Sequence, residues 1–410
     1  MRQIARLALT ALLLAATPAQ PASACLWDSD TLRMEARAFP GLAEILTGRI
    51  EREPPRYYEM RIERVLGLLA TEPEVLEHFD DLAVACDRLG RSDEAIEWME
   101  RKAEILKVAE ERAAGDAAAL AKVKEHRYRY HANIGTFYAH RSIRSPDGER
   151  TAEDLMRARD EIAAAIAINP DAHFGREVYQ LAAIEWLIEI RTDPSAPFRS
   201  IIQHPDSLRF DEERFGDSSD AAVKGLSGLI VLGDAWQSVD VHFALEQALA
   251  RRRDASMALL ARLRRIELED AGRTSFHPSY EQPRESVAVG PDFFGGGLDE
   301  DEEREVGSFF VAARESAKAW TCARERFMLA RFAQGIHPDT HGDAFWAGWS
   351  DEPPMPSLPD RAWYAVPFHS PESTALTVLA CALCAGLVHI GRRDWKRRRA
   401  AAAMSEQKAK

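Results

Sequence analysis

In residues 78–106, small and apolar residues recur every three to four positions on either side of Gly90. This spacing places them on one face of an α-helix, first before the glycine and again after it. Glycine readily takes the left-handed conformation at which helices end. The stretch therefore predicts two short helices packed back to back, residues 75–89 and a second helix that begins at Ser92. It also indicates that the fold around it is mostly helical.

The same stretch carries a recognisable pattern of residue types. A Leu-Ala pair begins at Leu82, Gly90 follows eight residues later, and Asp-Glu-Ala-Ile begins at Asp93. This order resembles one unit of a tetratricopeptide (TPR) repeat, a pair of antiparallel helices that stacks on further pairs. Lys102 departs from the pattern, because it stands where the repeat has a small residue.

Two further regions resemble such units. Residues 133–138 are similar to the first helix of a unit and residues 155–170 to the second. Residues 142–149 between them exceed an ordinary inter-helix turn, so they are predicted to form a surface loop. Residues 239–270 fit a third pair, with the Arg-rich residues 251–254 in place of a turn glycine. The resemblance covers roughly half the chain.

The fold class predicted from these patterns is all-α: a TPR-like helical-hairpin solenoid with insertions, plus one C-terminal transmembrane helix. Residues 71–271 are assigned to the repeats. Residues 25–70 and 305–350 are predicted to cap the two ends, because the end units of a stack have unpaired faces. Residues 272–304, rich in Gly, Pro, Asp and Glu, are predicted to form a flexible acidic loop.

Residues 1–24 have the three-part layout of a secretory signal peptide. Arg2 and Arg6 border an apolar run, and Ala22-Ser-Ala24 provides small residues for cleavage. Cleavage after Ala24 leaves Cys25 as the first mature residue. Two interpretations follow: lipidation of Cys25, which requires a cysteine at this position, or an ordinary cut. Ala22 stands where lipidation signals usually have leucine, which favours the second.

Near the other end, residues 374–390 contain no Asp, Glu, Lys or Arg and predict a short transmembrane helix. Residues 351–373 before them are Pro-rich and predict an extended spacer. Residues 391–410 carry eight basic and two acidic side chains. Such a cluster stays cytoplasmic, so the body is expected to be periplasmic or otherwise extracytoplasmic, on a single-pass anchor.

The charge of the body excludes one class of partner. The whole chain has a net charge of −13, although both ends are basic, so the region between them is strongly acidic. Nucleic-acid binding requires a cationic surface that displaces counterions, and we therefore expect no nucleic-acid partner. The sequence contains no phosphate-binding loop, dinucleotide glycine motif or HExxH motif, and no cofactor is predicted.

The TPR resemblance implies that a protein or peptide binds in the groove lined by the first helix of each unit. The residues predicted to line this groove are Asn133, Phe137, Tyr138, Asp87 and Arg88. The resulting prediction is a non-enzymatic, membrane-anchored scaffold for protein–protein interactions outside the cytoplasm.

A second interpretation is an enzyme. His337, Asp339, His341 and Asp343 lie within seven residues and are the side-chain types that bind zinc or another divalent ion. They suggest a membrane-tethered, metal-dependent hydrolase, and bound metal would distinguish it from a scaffold. A third interpretation is a sensor that signals through its basic tail.

The histidines His126, His131 and His140 share no single helical face. They are therefore predicted to lie on the surface.

Overall fold

A computed structural model of the protein describes residues 26–31, 40–145, 148–170, 175–203, 218–233, 235–281 and 297–358. Every regular element in these ranges is helical, which confirms the all-α prediction. No helix in the described ranges is both long and apolar enough to cross a bilayer. The predicted signal peptide, Cys25, residues 374–390 and the basic tail lie outside them.

The helices are joined mostly by short turns, and each packs chiefly against its neighbours in the chain. They share one large apolar core made of leucine, isoleucine, valine, alanine and aromatic side chains. The helices are α1 (Leu42–Thr47), α2 (Pro55–Leu69), α3 (Leu76–Arg88), α4 (Ser92–Ala113), α5 (Ala117–Arg144), α6 (Gly148–Ile168), α7 (Arg176–Thr192), α8 (Ser218–Val231), α9 (Val239–Arg251), α10 (Ala255–Asp270), α11 (Glu300–Phe332) and α12 (Pro338–His341). Short 3₁₀ turns precede α8 and α9 and follow α12.

The hairpin predicted around Gly90 is present as α3 and α4. Gly90 has a φ of 79°, so it takes the left-handed conformation that ends α3. The Ser92 hydroxyl donates to the Asp87 carboxylate at 3.0 Å, which ties the start of α4 to the end of α3. Cys86 is buried in the hairpin.

The pair predicted in residues 239–270 is also present, as α9 and α10. The turn between them contains no glycine, and Arg253 itself takes a positive φ of 60°. Asp254 then caps α10, because its side chain accepts the backbone N–H of Met257 at 3.3 Å.

The loop predicted for residues 142–149 is wrong. Helix α5 continues to Arg144 and α6 already begins at Gly148. Two hydrogen bonds of 2.8 and 2.7 Å join the Arg141 guanidinium to Asp154, and they hold the end of α5 against α6. Residues 142–144 therefore belong to the end of α5, and residues 148–149 to the start of α6.

The predicted acidic loop is wrong at its C-terminal end. The Asp299 side chain accepts the backbone N–H groups of Asp301 and Glu302, so it caps α11. The acidic residues that follow form the first turn of the helix, where the partial positive charge of a helix N-terminus stabilises them. Residues 282–296 lie outside the described part of the chain.

The two segments predicted to cap opposite ends of the stack contact each other. Helix α1 packs against α8, α10 and α11. Arg314 of α11 donates to the Thr47 carbonyl at 2.7 Å, and Arg324 donates to the Arg52 carbonyl at the same distance. Arg49 donates to the Pro353 carbonyl at 2.5 Å. Two arginines of α11 therefore bind main-chain carbonyls at the end of α1 and after it.

Trp236 shows why these segments meet. The guanidinium of Arg264 lies 3.8 Å from the Trp236 ring centroid, and those of Arg52 and Arg314 lie 5.0 and 5.2 Å from it. A tryptophan face attracts cations through its quadrupole. Gly48 passes so close to this ring that an added Cβ would lie 2.5 Å from it.

Candidate functional site

A polar pocket of about 230 Å³ opens where several segments meet. Residues 28–31 and 51–53 form one side, and the C-terminal ends of α3, α5 and α8 form the other. Its lining is mainly charged, in contrast to the apolar core beneath it. The lining residues in the described part of the chain are Asp28, Asp30, Thr31, Glu51, Arg52, Glu53, Tyr58, Asp87, Arg88, His140, Arg144, Val231, Leu232 and Gly233.

Asp87 organises the wall formed by α3 and α5. It is fully buried, and His140 Nδ1 lies 2.5 Å from one of its oxygens. Arg144 donates to the other oxygen at 2.8 Å. Burial alone would raise the pKa of Asp87, but the charges of His140 and Arg144 lower it well below its usual range. Asp87 therefore stays ionised, and His140 donates the Nδ1–H that lies between them.

A second network lies behind the opposite wall, around Arg61. This guanidinium has no exposed surface and contacts three carboxylates. It donates to Asp28 at 3.0 Å, to Asp30 at 2.7 and 3.0 Å, and to Asp339 at 2.7 and 2.8 Å. Asp339 also accepts from Arg64 at 2.8 Å. Two cations therefore compensate three buried or half-buried acids.

Asp28 shows the consequence of this imbalance. Burial, and then the negative charge of neighbouring Asp30, raise its pKa to about 7, against the opposing charge of Arg61. Its other oxygen accepts the backbone N–H groups of Asp30 and Thr31 at 3.1 and 2.9 Å. The pocket thus contains a carboxyl group that titrates near neutral pH.

Glu53 and Tyr58 complete the pocket near α2. Glu53 pairs with Arg324 of α11 at 2.8 Å, and burial raises the pKa of the Glu53 carboxyl despite that pairing. The hydroxyl of Tyr58 has no hydrogen-bond partner among the residues that the structure describes. Burial raises the pKa of Tyr58, so this hydroxyl stays protonated.

The residues predicted to line a protein-binding groove divide into two groups. Asp87 and Arg88 lie at the pocket. Asn133 and Phe137 have no exposed surface, and Tyr138 is buried between α5 and its neighbours. An open groove containing all five is therefore wrong.

The chain's own N-terminal segment explains why Asn133 is covered. The backbone N–H of Trp27 donates to the Asn133 side chain at 2.6 Å, and the Asn133 amide donates back to the Trp27 carbonyl at 2.9 Å. Ser29 binds Asp81 in the same way, through its backbone N–H and its hydroxyl, at 2.8 and 2.9 Å. These side chains thus bind a short peptide segment, but that segment belongs to this protein.

The four residues of the predicted metal cluster do not converge. Asp339 is held by Arg61, whose hydrogen bonds and charge lower the pKa of Asp339 although burial opposes this. His337 caps α12, and its other nitrogen lies 3.1 Å from the Tyr57 carbonyl. His341 and Asp343 are exposed. No group of three or more His, Cys, Asp or Glu residues in the described ranges is arranged to hold a metal ion.

His337 is unsuited to ligation for a further reason. Burial lowers its pKa to about 4, so the ring is neutral at physiological pH, with one nitrogen that donates and one that accepts. Asp339 donates its backbone N–H to His337 Nδ1 at 3.1 Å, which leaves Nε2 to donate to the Tyr57 carbonyl. Both ring nitrogens are therefore used within the fold.

Sequence reasoning missed most of the pocket. His140 was expected at the surface with His126 and His131, yet His140 and His126 are buried. The spacing of His140 and Arg144, four residues apart on one helix, was an available signal that they share a face. The closely spaced acidic residues Asp28 and Asp30 were another available sequence signal.

Comparison of the chain with protein-family models, with curated proteins and with solved structures gives no significant match.

Proposed function

We propose that this chain is a non-enzymatic binding protein of TPR-like build, anchored to a membrane with its body outside the cytoplasm, and that it holds a protein partner at the polar pocket. The observation that carries this proposal is the pocket itself. It is open, it is lined by charged side chains in fixed positions, and it includes Asp87 and Arg88 of the predicted groove.

The location of the pocket supports a binding role. Residues 26–31 already occupy the neighbouring surface around Asn133, so the pocket is where the predicted groove stays open. The hydrogen bonds around Asp87 and Arg61 hold the walls in place without a ligand. Preorganised polar groups bind a partner without a further ordering cost.

The membrane anchor and the location outside the cytoplasm rest on the two ends of the sequence. The TPR-like build rests on the repeat resemblance, to which the Gly90 hairpin and the α9–α10 pair add local agreement.

Photo-cross-linking in native membranes tests the proposal. A photoreactive amino acid replaces Arg52, which is exposed at the pocket. The matched controls replace Leu120 and Met156, which are exposed apolar residues away from the pocket lining. We expect a discrete protein adduct from position 52 and none from positions 120 and 156. Adducts of equal yield from all three positions, or only from the controls, would overturn the proposal.

A further inference from the structure

We infer that His126 is a proton-sensitive contact between α5 and α3, and that its imidazolium form pairs with both Glu77 and Asp80. When the ring loses its proton, the pairing with Asp80 is lost. This inference goes beyond the proposed function and involves no partner. It rests on the position of the ring between two carboxylates, on two buried atoms without partners, and on the contacts that connect Asp80 to residues 26–31.

His126 lies on α5 and is buried where α5 faces α3. Its Nε2 is 3.3 Å from a carboxylate oxygen of Glu77, and its Nδ1 is 3.9 Å from Oδ2 of Asp80. Glu77 and Asp80 are three residues apart on α3, so they are neighbours on one helix face. The ring therefore stands between two acids of the same helix, with one nitrogen near each.

The chemistry of the ring selects its charged form. Neutral imidazole has one nitrogen that donates and one that accepts, whereas imidazolium donates from both. An ionised carboxylate only accepts. Whichever nitrogen holds the single proton of a neutral ring, the other presents a lone pair to a carboxylate oxygen. Only the imidazolium suits Glu77 and Asp80 together.

Two unpaired atoms show what the protonated ring supplies. Asp80 Oδ2 and His126 Nδ1 are buried, and neither has a hydrogen-bond partner among the residues that the structure describes. Most buried polar atoms in proteins are paired. The other oxygen of Asp80 already accepts from Lys102 at 2.6 Å and from Asn133 at 3.1 Å. A proton on Nδ1 turns the two unpaired atoms into an ion pair.

The charges around the ring balance when it is protonated. The hydrogen bond from His126 lowers the pKa of Glu77 to about 2, although burial opposes this, so Glu77 is ionised. The charge of Arg129 acts on both Glu77 and Asp80. The other charged side chains of the cluster, from α3, α4 and α5, are Glu77, Asp80, Lys102, Glu125 and Arg129. With the imidazolium, three cations stand opposite three acids.

Asp80 connects the ring to the N-terminal segment, residues 26–31. The Asn133 amide donates both to Asp80 and to the Trp27 carbonyl, the latter at 2.9 Å. Residues 28–31 form one side of the polar pocket. The ion pair of His126 with Asp80 exists at acidic pH and is lost as the pH rises through deprotonation of the ring. The attachment of Trp27 to Asn133 therefore weakens as the pH rises.

NMR of the imidazole nitrogens in the purified full-length protein tests the charged form. The His126 signals are those that disappear in His126→Gln. At pH 6 we expect both ring nitrogens of His126 to carry protons. Burial lowers the pKa of His242 to about 3 and that of His337 to about 4, so these rings are neutral references in the same sample. A neutral His126 at pH 6 would overturn the inference.

A substitution of the exposed acid tests the pairing without disturbing the core. Glu77→Gln removes the carboxylate near Nε2, and we expect His126 to bind its proton about threefold more weakly, as is typical of a half-exposed ion pair. Glu74→Gln is the control, because Glu74 is also exposed but pairs with Arg112. Equal proton binding by His126 in both variants would contradict the pairing.

Hydrogen exchange tests the connection to residues 26–31. Asp28 also titrates near pH 7, so the measurement uses Asp28→Asn as its background. Between pH 6 and pH 8 we expect the protection factor of the Trp27 amide to fall about tenfold, the effect of one hydrogen bond to a charged group. Adding His126→Gln should abolish this fall.

His131→Gln is the matched control for the exchange measurement, because His131 also lies on α5 but pairs with Glu161 of α6. Added to Asp28→Asn, it should leave the fall in protection unchanged. A fall of the same size with and without His126 would overturn the inference. Since no measurement here involves a partner, this outcome is independent of the proposed function.

Discussion

Lys102 departs from the repeat pattern, and its surroundings show what replaces the expected small residue. Its ammonium has no exposed surface and lies 2.6 Å from Asp80. Burial lowers the pKa of Lys102 and raises the pKa of Asp80, although each partner's charge opposes the shift of the other. The Asn133 amide donates to the same Asp80 oxygen at 3.1 Å. The pair is thus compensated inside the α3–α5 core.

We predict that Lys102→Met destabilises the protein by about 3 to 5 kcal/mol, because it leaves Asp80 buried without its counter-charge. The double variant Lys102→Met with Asp80→Asn should recover much of this loss, since no uncompensated charge remains. Chemical denaturation of the wild type, the two single variants Lys102→Met and Asp80→Asn, and the double variant gives the coupling energy. Additive losses would show that the two side chains act independently.

Asp28 gives a prediction about pH. Its folded pKa of about 7 lies above the ordinary value of 3.8, so the folded state holds the proton more tightly than the unfolded state. Stability from this group is therefore complete below about pH 4 and is lost as the pH rises through about 7. The charged groups that act on Asp28 are Asp30, Asp81 and Arg61.

The substitution Asp28→Asn should remove this loss of folding stability at rising pH. Relative to wild type, its free energy of unfolding should increase between about pH 5 and pH 8 by an amount on the order of 2 kcal/mol. Urea denaturation at both pH values measures it. The exposed Asp343→Asn serves as the control, with no comparable change. A pH-independent difference between Asp28→Asn and wild type would contradict the assigned shift.

Residue identity alone predicted part of the site. Asp87 and Arg88, which were predicted to line a binding groove, lie at the pocket, near the end of a helix that the Gly90 turn defines locally. Asn133 was expected beside them, but Trp27 covers it across more than a hundred residues of sequence. A contact between residues so far apart in the chain leaves no periodic pattern in the sequence.

At the scale of helices, close packing of α7 and α8 depends on a glycine. A Cβ added to Gly225 would lie 2.1 Å from a ring carbon of Tyr179, closer than any non-bonded contact allows. Gly67 on α2 is the control position for Gly225, because nothing lies within 4 Å of a Cβ added there.

We therefore predict opposite effects of one substitution at two helical glycines. Gly225→Ala should destabilise the protein by about 2 to 3 kcal/mol, because α7 and α8 must separate. Gly67→Ala should stabilise it by about 0.5 to 1 kcal/mol, through lower backbone entropy in the unfolded chain. Thermal and urea denaturation measure both, and a neutral Gly225→Ala would show that the helices adjust freely.

Local sequence signals predicted where helices occur better than they predicted where those helices begin and end. Gly90 ends α3 as expected, because a left-handed glycine needs only its neighbours. Residues 142–149 and the acidic run after Asp299 were predicted to be loops, yet α5 continues to Arg144, α6 begins at Gly148, and the Asp299 cap starts α11 within the acidic run. Polar composition is shared by loops and by exposed helix ends, so composition alone does not separate them.

At the scale of the whole molecule, the sequence predicted a stack with caps at its two ends. The described structure instead brings α1 and α2 against α11, through arginines that bind backbone carbonyls and surround Trp236. These contacts also position residues 51–53 at the edge of the pocket. The pocket thus depends on contacts between distant parts of the chain, which no single motif encodes.

Amide hydrogen exchange of the full-length protein, alone and with the partner captured at position 52, tests the central claim most directly. If the pocket holds the partner, exchange should slow in residues 28–31, 51–53, the last turns of α3 and α5, and residues 231–233, while α6 stays unchanged. Slowed exchange confined to other helices, with these segments unaffected, would contradict the assignment of the pocket as the binding site.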